Sequence, residues 1–187
     1  MQYSAYKTLK EAVAKADAQA GSIVLIDVQT GEVLALASQP AFNPNNRSQL
    51  KLASLRNRAI TDAFEPGSTV KPFTILAALE SGKYKPETII DTNPGFIKVG
   101  RKILQDHHNN GPISVSDIIM KSSQVGITKV ALSIEANAVS EAFQRVGFGQ
   151  SPGTGFPGEG VGVLPSRVKW LDIERATFAY GYGLSVT

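Results

Sequence analysis

Glu65-Pro66-Gly67-Ser68-Thr69-Val70-Lys71-Pro72, running into Phe73-Thr74-Ile75-Leu76-Ala77-Ala78-Leu79, is the stretch around which the rest of the chain falls into place. A Pro-Gly break feeds an apolar segment of helical character. Ser68 and Lys71 stand three residues apart, so on a helix they share a face. A serine hydroxyl becomes a nucleophile only when a neighbour takes its proton. A lysine can do this once burial or nearby positive charge lowers its pKa enough to leave it neutral. The helix is apolar enough to be buried, and its N-terminus favours developing negative charge.

The spacing alone is weak evidence. Ser-x-x-Lys occurs at Ser4/Lys7, Ser48/Lys51, Ser68/Lys71 and Ser166/Lys169, and only the copy at Ser68 opens an apolar helix after a Pro-Gly break. The other copies lie in polar surroundings and read as solvated surface. Pro72 disfavours the helical region at Lys71 and has no N–H to donate. The first turn is therefore distorted, or placed so that Pro72 falls where no donor is needed.

Outward from this stretch, composition narrows the field. A chain of 187 residues is one domain or part of a larger one, and its 42% hydrophobic and 19% charged content is that of a globular protein. A net charge of +3, dispersed and without aromatic interleaving, gives no support for nucleic-acid binding. With no cysteine, disulfides, thiolate catalysis and cysteine metal sites are excluded. His107 and His108, the only histidines, are adjacent and lack a partner at metal-ligand spacing, so they read as polar loop residues. No metal and no cofactor is expected. Neither a signal peptide nor an apolar run long enough to span a bilayer is visible.

Before the central stretch, Tyr6 to Ala18 carries Leu9, Ala12, Val13 and Ala16 at helical spacing, and Gly21 follows. Runs 22–28 and 32–38 flank Gln29-Thr30-Gly31 as a hairpin. The first run is apolar on both faces, which predicts helices on both sides of the sheet. Asp27, just before the turn, reads as an acceptor for backbone N–H groups rather than a catalytic carboxylate. Pro40 to Arg47 is irregular loop, and Leu50 to Ile60 a short helix. After the central helix, which runs to Ser81-Gly82, residues 84–111 form a loop-rich arm with a small hairpin around Gly100. Ser114 or Ser116 caps a helix with Asp117 in its first turn. Helices follow at 125–134 and 138–146. Between the first two lies Lys121-Ser122-Ser123-Gln124, either a plain interhelical turn or a set of polar groups aimed at a cleft. The seven glycines of 147–162 do not match a phosphate-binding loop. Trp170 to Thr177 reads as helix, and 178–183 as a tight closing segment.

Taken in order, these residues resemble the transpeptidase domain of the penicillin-binding proteins, and most of all the division-specific class B DD-transpeptidase of Gram-negative bacteria. The series is Gly31-Glu32-Val33-Leu34-Ala35-Leu36-Ala37, Asn43-Pro44-Asn45-Asn46, Arg56-Asn57-Arg58, 65–72, Lys121-Ser122-Ser123-Gln124-Val125-Gly126 and Asp172-Ile173-Glu174-Arg175-Ala176-Thr177. The resemblance implies an α+β fold, with an antiparallel sheet covered by helices and a helical lobe. It makes residues 1–187 a partial domain, with helix and hairpin in 1–40 and the lobe in 41–187. It also implies acyl transfer, with Ser68 as nucleophile, Lys71 as base and Ser122 relaying protons. Gln124 and Ser123 would contact substrate, and the Ser68 N–H would be half of the oxyanion hole. The donor would be a peptidoglycan stem peptide ending in D-Ala-D-Ala, which β-lactams mimic. Division-complex membrane proteins would be partners, at the periplasmic face of the inner membrane, with the anchor absent from this chain.

Two departures stand out. Gln124 replaces the family's usual Asn, a longer arm with the same carboxamide. The family's Lys-Thr/Ser-Gly tripeptide occurs nowhere in the chain. The expectation is therefore a domain cut before its last strands, with an unpaired sheet edge inviting self-association. A non-catalytic β-lactam sensor or scaffold, an inactive transpeptidase fragment, and a serine β-lactamase or carboxypeptidase stay open beside it.

Overall fold

The computed structural model describes residues 1–46, 48 and 51–187. The expected loop through Arg47 and helix from Leu50 thus lie partly outside the described residues. The chain divides into two compact units, one of Met1–Asp62 with Gly153–Gly160 and Thr187, the other of Ala63–Pro152 with Val161–Val186. In the first unit the short helix ending at Thr61 packs on the hairpin.

The first unit consists of helix α1 (Gln2–Lys15), strands β1 (Gly21–Ile26) and β2 (Val33–Gln39), and helix α2 (Arg58–Thr61). The amphipathic pattern begins α1 four residues earlier than the periodicity predicts. Leu9 is its buried anchor. A Cβ on Gly21 would stand 2.8 Å from Val13 Cγ2, so a glycine lets β1 start directly under the helix. β1 and β2 pair antiparallel, Val24 opposite Leu36, with a bulge at Leu25/Ile26. Asp27 Oδ1 accepts from Gln29 N (2.9 Å) and Thr30 N (2.8 Å), the turn role expected of it. Those amides hold its carboxyl below the usual carboxylate range. On β2 the carboxamide of Gln2 pairs with Leu36 as a strand would, donating to its carbonyl at 2.6 Å and accepting from its N–H at 2.9 Å.

Coverage of both sheet faces does not materialise. Val24, Leu25 and Ile26 are 45%, 43% and 50% exposed. The reason is strand number: in a two-stranded sheet β1 has one neighbour, and the helices packed on the hairpin, α1 and the four-residue α2, leave these side chains in solvent.

The second unit holds α3 (Lys71–Glu80), β3 (Ile89–Asp91), β4 (Phe96–Val99), β5 (Lys102–Gln105), β6 (Pro112–Ser114), α4 (Val115–Met120), α5 (Gln124–Ser133), α6 (Ala138–Arg145) and α7 (Asp172–Phe178). The hairpin around Gly100 is β4–β5; the β3–β6 pairing was not foreseen. A capping box of Ser114 and Asp117 starts α4. Helix α5 runs through the centre with Val125, Ile127 and Val130 fully buried. It lies against α3 and α7, and Ile118 of α4 sits so close that a Cβ on Gly126 would overlap it at 2.8 Å. Phe143 of α6 joins Phe148 (5.2 Å between centroids) to Phe178 (5.1 Å), and Trp170 adds a further ring. Full burial of a side chain such as Phe143 contributes about 1.5–3 kcal/mol. Arg175 on α7 donates to the carbonyls of Ala131 (2.9 Å) and Ile134 (2.7 Å), closing the C-terminal end of α5.

Candidate active site

The Pro-Gly break becomes a 3-10 turn, Gly67–Val70, that leads directly into α3. Both resolutions of the Pro72 problem are realised: the first turn is tightened, and Pro72 occupies the first turn of α3, where no intrahelical donor is required. Ser68 is exposed on this turn, while Lys71 is buried, 1% exposed. Thr74, one turn on, donates its hydroxyl to Ala179 O at 2.8 Å and ties α3 to the end of α7. Gly67 N donates to Gly181 O at 3.1 Å, and Gly183 N to Glu65 Oε1 at 2.8 Å. The closing segment thus clamps the turn that carries Ser68.

Lys71 Nζ donates to Ser122 O at 2.5 Å and to Ser122 Oγ at 2.9 Å. Burial lowers its pKa to about 8, with the negative charge of Asp106 pulling the other way. About one Lys71 in ten is therefore neutral at pH 7, against roughly one in three thousand for a solvated lysine. Ser122 adopts φ +53°, a left-handed conformation that costs a non-glycine residue on the order of 1–2 kcal/mol. Ser122 N and Ser123 N hold the turn through Ile119 O (3.1 Å) and Ile118 O (3.0 Å). Among the described residues no hydrogen bond joins Ser68 Oγ to Lys71; such contacts commonly tighten only around substrate.

Ser68, Ser122 and Gln124 line one cleft of about 130 Å³, together with Asp106, His107, His108, Asn110 and Lys121. The open question over Lys-Ser-Ser-Gln resolves as both answers at once: an interhelical turn whose Ser122 and Gln124 line a cleft. Ser123 is placed otherwise. It is 1% exposed, accepts from Gly126 N at 2.9 Å as the N-cap of α5, and donates to Asp106 Oδ2 at 2.6 Å. With its hydroxyl so committed, it supports the turn and does not face the cleft. The two histidines are exposed loop residues, as expected, but the loop places them at the cleft beside Ser68.

Asp106 escaped the sequence reading. Its Oδ1 accepts from Gln124 N (2.6 Å) and Val125 N (3.0 Å), and its Oδ2 from Ser123 Oγ and Asn110 Nδ2 (3.0 Å). An aspartate in an Asn- and Gly-rich loop carries no local sign of such a role. Only its position directly after a β-run, ahead of the histidine pair, set it apart. Among the described residues no cluster of metal-ligating side chains is present.

The penicillin binding protein transpeptidase domain model matches residues 21–187. The chain is 42% identical over 187 residues to peptidoglycan D,D-transpeptidase FtsI of Escherichia coli K12, covering all of this chain and 32% of that protein. It is 41% identical over 186 residues to the probable peptidoglycan D,D-transpeptidase PbpC of Pseudomonas aeruginosa, covering 33% of it. The chain thus spans about a third of the length of these curated relatives. Among solved structures it is similar to a peptidoglycan glycosyltransferase from Burkholderia ambifaria, with TM-score 0.87 and 40% identity, covering all of this chain and 55% of that one. It is also similar to the apo TP domain of Burkholderia pseudomallei penicillin-binding protein 3, with TM-score 0.86 and 40% identity over 99% of this chain and 51% of that one. An exposed serine one turn from a buried lysine, a second serine hydrogen-bonded to that lysine and a match over nearly the whole chain converge: the chain belongs to the penicillin-binding protein transpeptidase domain family.

Proposed function

We propose that this chain carries the nucleophile, base and proton relay of a peptidoglycan DD-transpeptidase acting in septal cell-wall cross-linking. The observation that carries the reading is Lys71: buried, its pKa lowered to about 8, and hydrogen-bonded to Ser122, one turn from an exposed serine. Neutral Lys71 takes the Ser68 proton as Oγ attacks the carbonyl of the penultimate D-Ala. The C–N bond to the terminal D-Ala breaks, and Ser122 passes a proton from Lys71 to the departing nitrogen. An amine of a neighbouring strand then displaces Ser68 from the acyl group. With a β-lactam the same attack opens the ring amide, the leaving nitrogen stays tethered, and the adduct persists. Gln124 supplies carboxamide contact to the substrate from the cleft wall.

Residence at the periplasmic face of the inner membrane, beside membrane proteins of the division complex, rests on the resemblance alone. No helix among the described residues is long and apolar enough to cross a membrane. The free edge of β1, with Val24, Leu25 and Ile26 exposed, supports self-association of the 187-residue chain through added strand pairing. A sedimentation series showing compact monomer at every concentration would remove that part of the proposal.

Intact mass after incubation with benzylpenicillin tests the chemistry, with Ser68→Ala as control. An adduct on the parent chain alone supports the reading, and its rate should rise through about pH 8 as Lys71 loses its proton. A folded chain without adduct favours the second reading, a transpeptidase fragment inactive by itself. The specific observation behind that reading is the absence of Lys-Thr/Ser-Gly from the 187 residues.

A further inference from the structure

The cleft turn is built on a carboxylate that no sequence motif contains. Asp106 follows β5, and its own N–H donates to Gly95 O at 2.9 Å, so the β4–β5 hairpin delivers it to the start of α5. Four donors converge on its two oxygens: Gln124 N, Val125 N, Ser123 Oγ and Asn110 Nδ2. Neutral acceptors usually suffice for helix capping, and Ser123 Oγ already caps α5 by accepting from Gly126 N. Asp106 takes the two amides ahead of it, Gln124 N and Val125 N, and adds a negative charge beside the turn. Ser122 and Ser123 are adjacent; Lys71 holds the first, and Asp106 holds the second.

We propose that Asp106 is a positioning residue of the reaction: its carboxylate fixes the turn that carries Ser122, and its charge governs the proton on Lys71 Nζ. This rests on the transpeptidase reading above. The titratable groups around the cleft are Asp106, Lys121, His107 and His108, and Asp106 is the only anion among these four. Burial lowers the Lys71 pKa, and the negative charge of Asp106 raises it. A permanently neutral amine accepts a proton poorly and cannot return one to a leaving nitrogen. An amine balanced near the working pH does both.

Asp106→Asn in the 187-residue chain separates the two roles. The amide oxygen still accepts from Gln124 N and Val125 N, while the charge is gone. The expected result is an inflection of benzylpenicillin acylation displaced to lower pH than the parent's, with an acylation rate at pH 7 about two- to threefold higher relative to the variant's own plateau. Asp106→Glu, which keeps the charge on a longer arm, should hold the inflection near the parent's while lowering the plateau. An inflection unmoved in Asp106→Asn overturns the proposal, and so does an Asn variant that does not fold, since the residue would then be structural only. If the parent itself forms no adduct, the transpeptidase reading fails for this chain, and the charge coupling is still read from stability. The pH at which the parent departs from Lys71→Met in urea unfolding should then move lower in the Asp106→Asn background; no movement overturns it.

Discussion

Lys71 places a chargeable amine where a charge is costly, and stability should register it. The group binds a proton above about pH 8 only in the unfolded chain, where its pKa is near 10.5. Between those values the unfolded state holds more protons, so stability rises with pH. The penalty is full below about pH 8 and gone above 10.5, a span worth roughly 3 kcal/mol by linkage. Lys71→Met removes this titration and leaves every other one in place. The urea-derived stability of the parent, less that of Lys71→Met, should therefore climb by about 2–3 kcal/mol between pH 8 and pH 10 or slightly above. A difference flat across that range would mean that Lys71 is not held away from its charged form. The same residue shows what was legible at this scale. Ser68 and Lys71 could be singled out because their signals are local: a helical spacing, a Pro-Gly break, an apolar continuation; Ser122 came only from the resemblance. Asp106 could not be singled out, because a hairpin brings it to α5 through tertiary structure and its neighbours in the chain say nothing of this. Ser123 was given as a substrate contact by the resemblance alone, which does not reveal that its hydroxyl caps α5.

Elements with their own periodicity or turn chemistry were visible in the sequence: α1, the β1–β2 hairpin, the hairpin around Gly100, and the Ser114 cap. β3 and β6 were not, since three-residue strands separated by the whole β4–β5 hairpin leave no local pattern. The closing segment after α7 was read only as tight, and its tightness has a specific cause. Gly181 has φ +94°, and a Cβ there would overlap the backbone of Gly67, next to the nucleophile. Gly183 also has positive φ, +80°, but a Cβ there meets nothing within 4 Å. The two alanine substitutions thus share the backbone cost and differ in the clash. Gly183→Ala should cost about 1 kcal/mol, and Gly181→Ala about 2–4 kcal/mol. Gly181→Ala should also slow penicillin acylation at least tenfold where folded, because the closing segment it displaces holds Gly67. Equal urea midpoints for the two variants would contradict this account of how the Ser68 turn is clamped.

Across the whole molecule, burial is unevenly shared. The second unit encloses a continuous core that includes Val70, Ile118, Ile127, Val130, Phe143 and Phe178. The first unit buries Leu9, Ala35, Ala37 and Ile60, and leaves much of β1 in solvent. The resemblance implied an α+β chain but not this asymmetry, because strand residues rich in Val, Leu and Ile look the same whether or not a neighbour covers them. Local stability follows buried apolar contact. Amide hydrogen exchange should therefore be slowest in α5, above all at Ile127 and Val130, and markedly faster in β1 and α1. Leu9→Ala removes the one buried side chain of α1 and should cost about 2–3 kcal/mol of local stability. Its effect should be confined to the first unit: protection falls in α1, β1 and β2 while α5 keeps its parent rates. Equal loss of protection in α5 would show that the chain opens as a single cooperative body, and that the sparse burial of the first unit does not make it the weaker part.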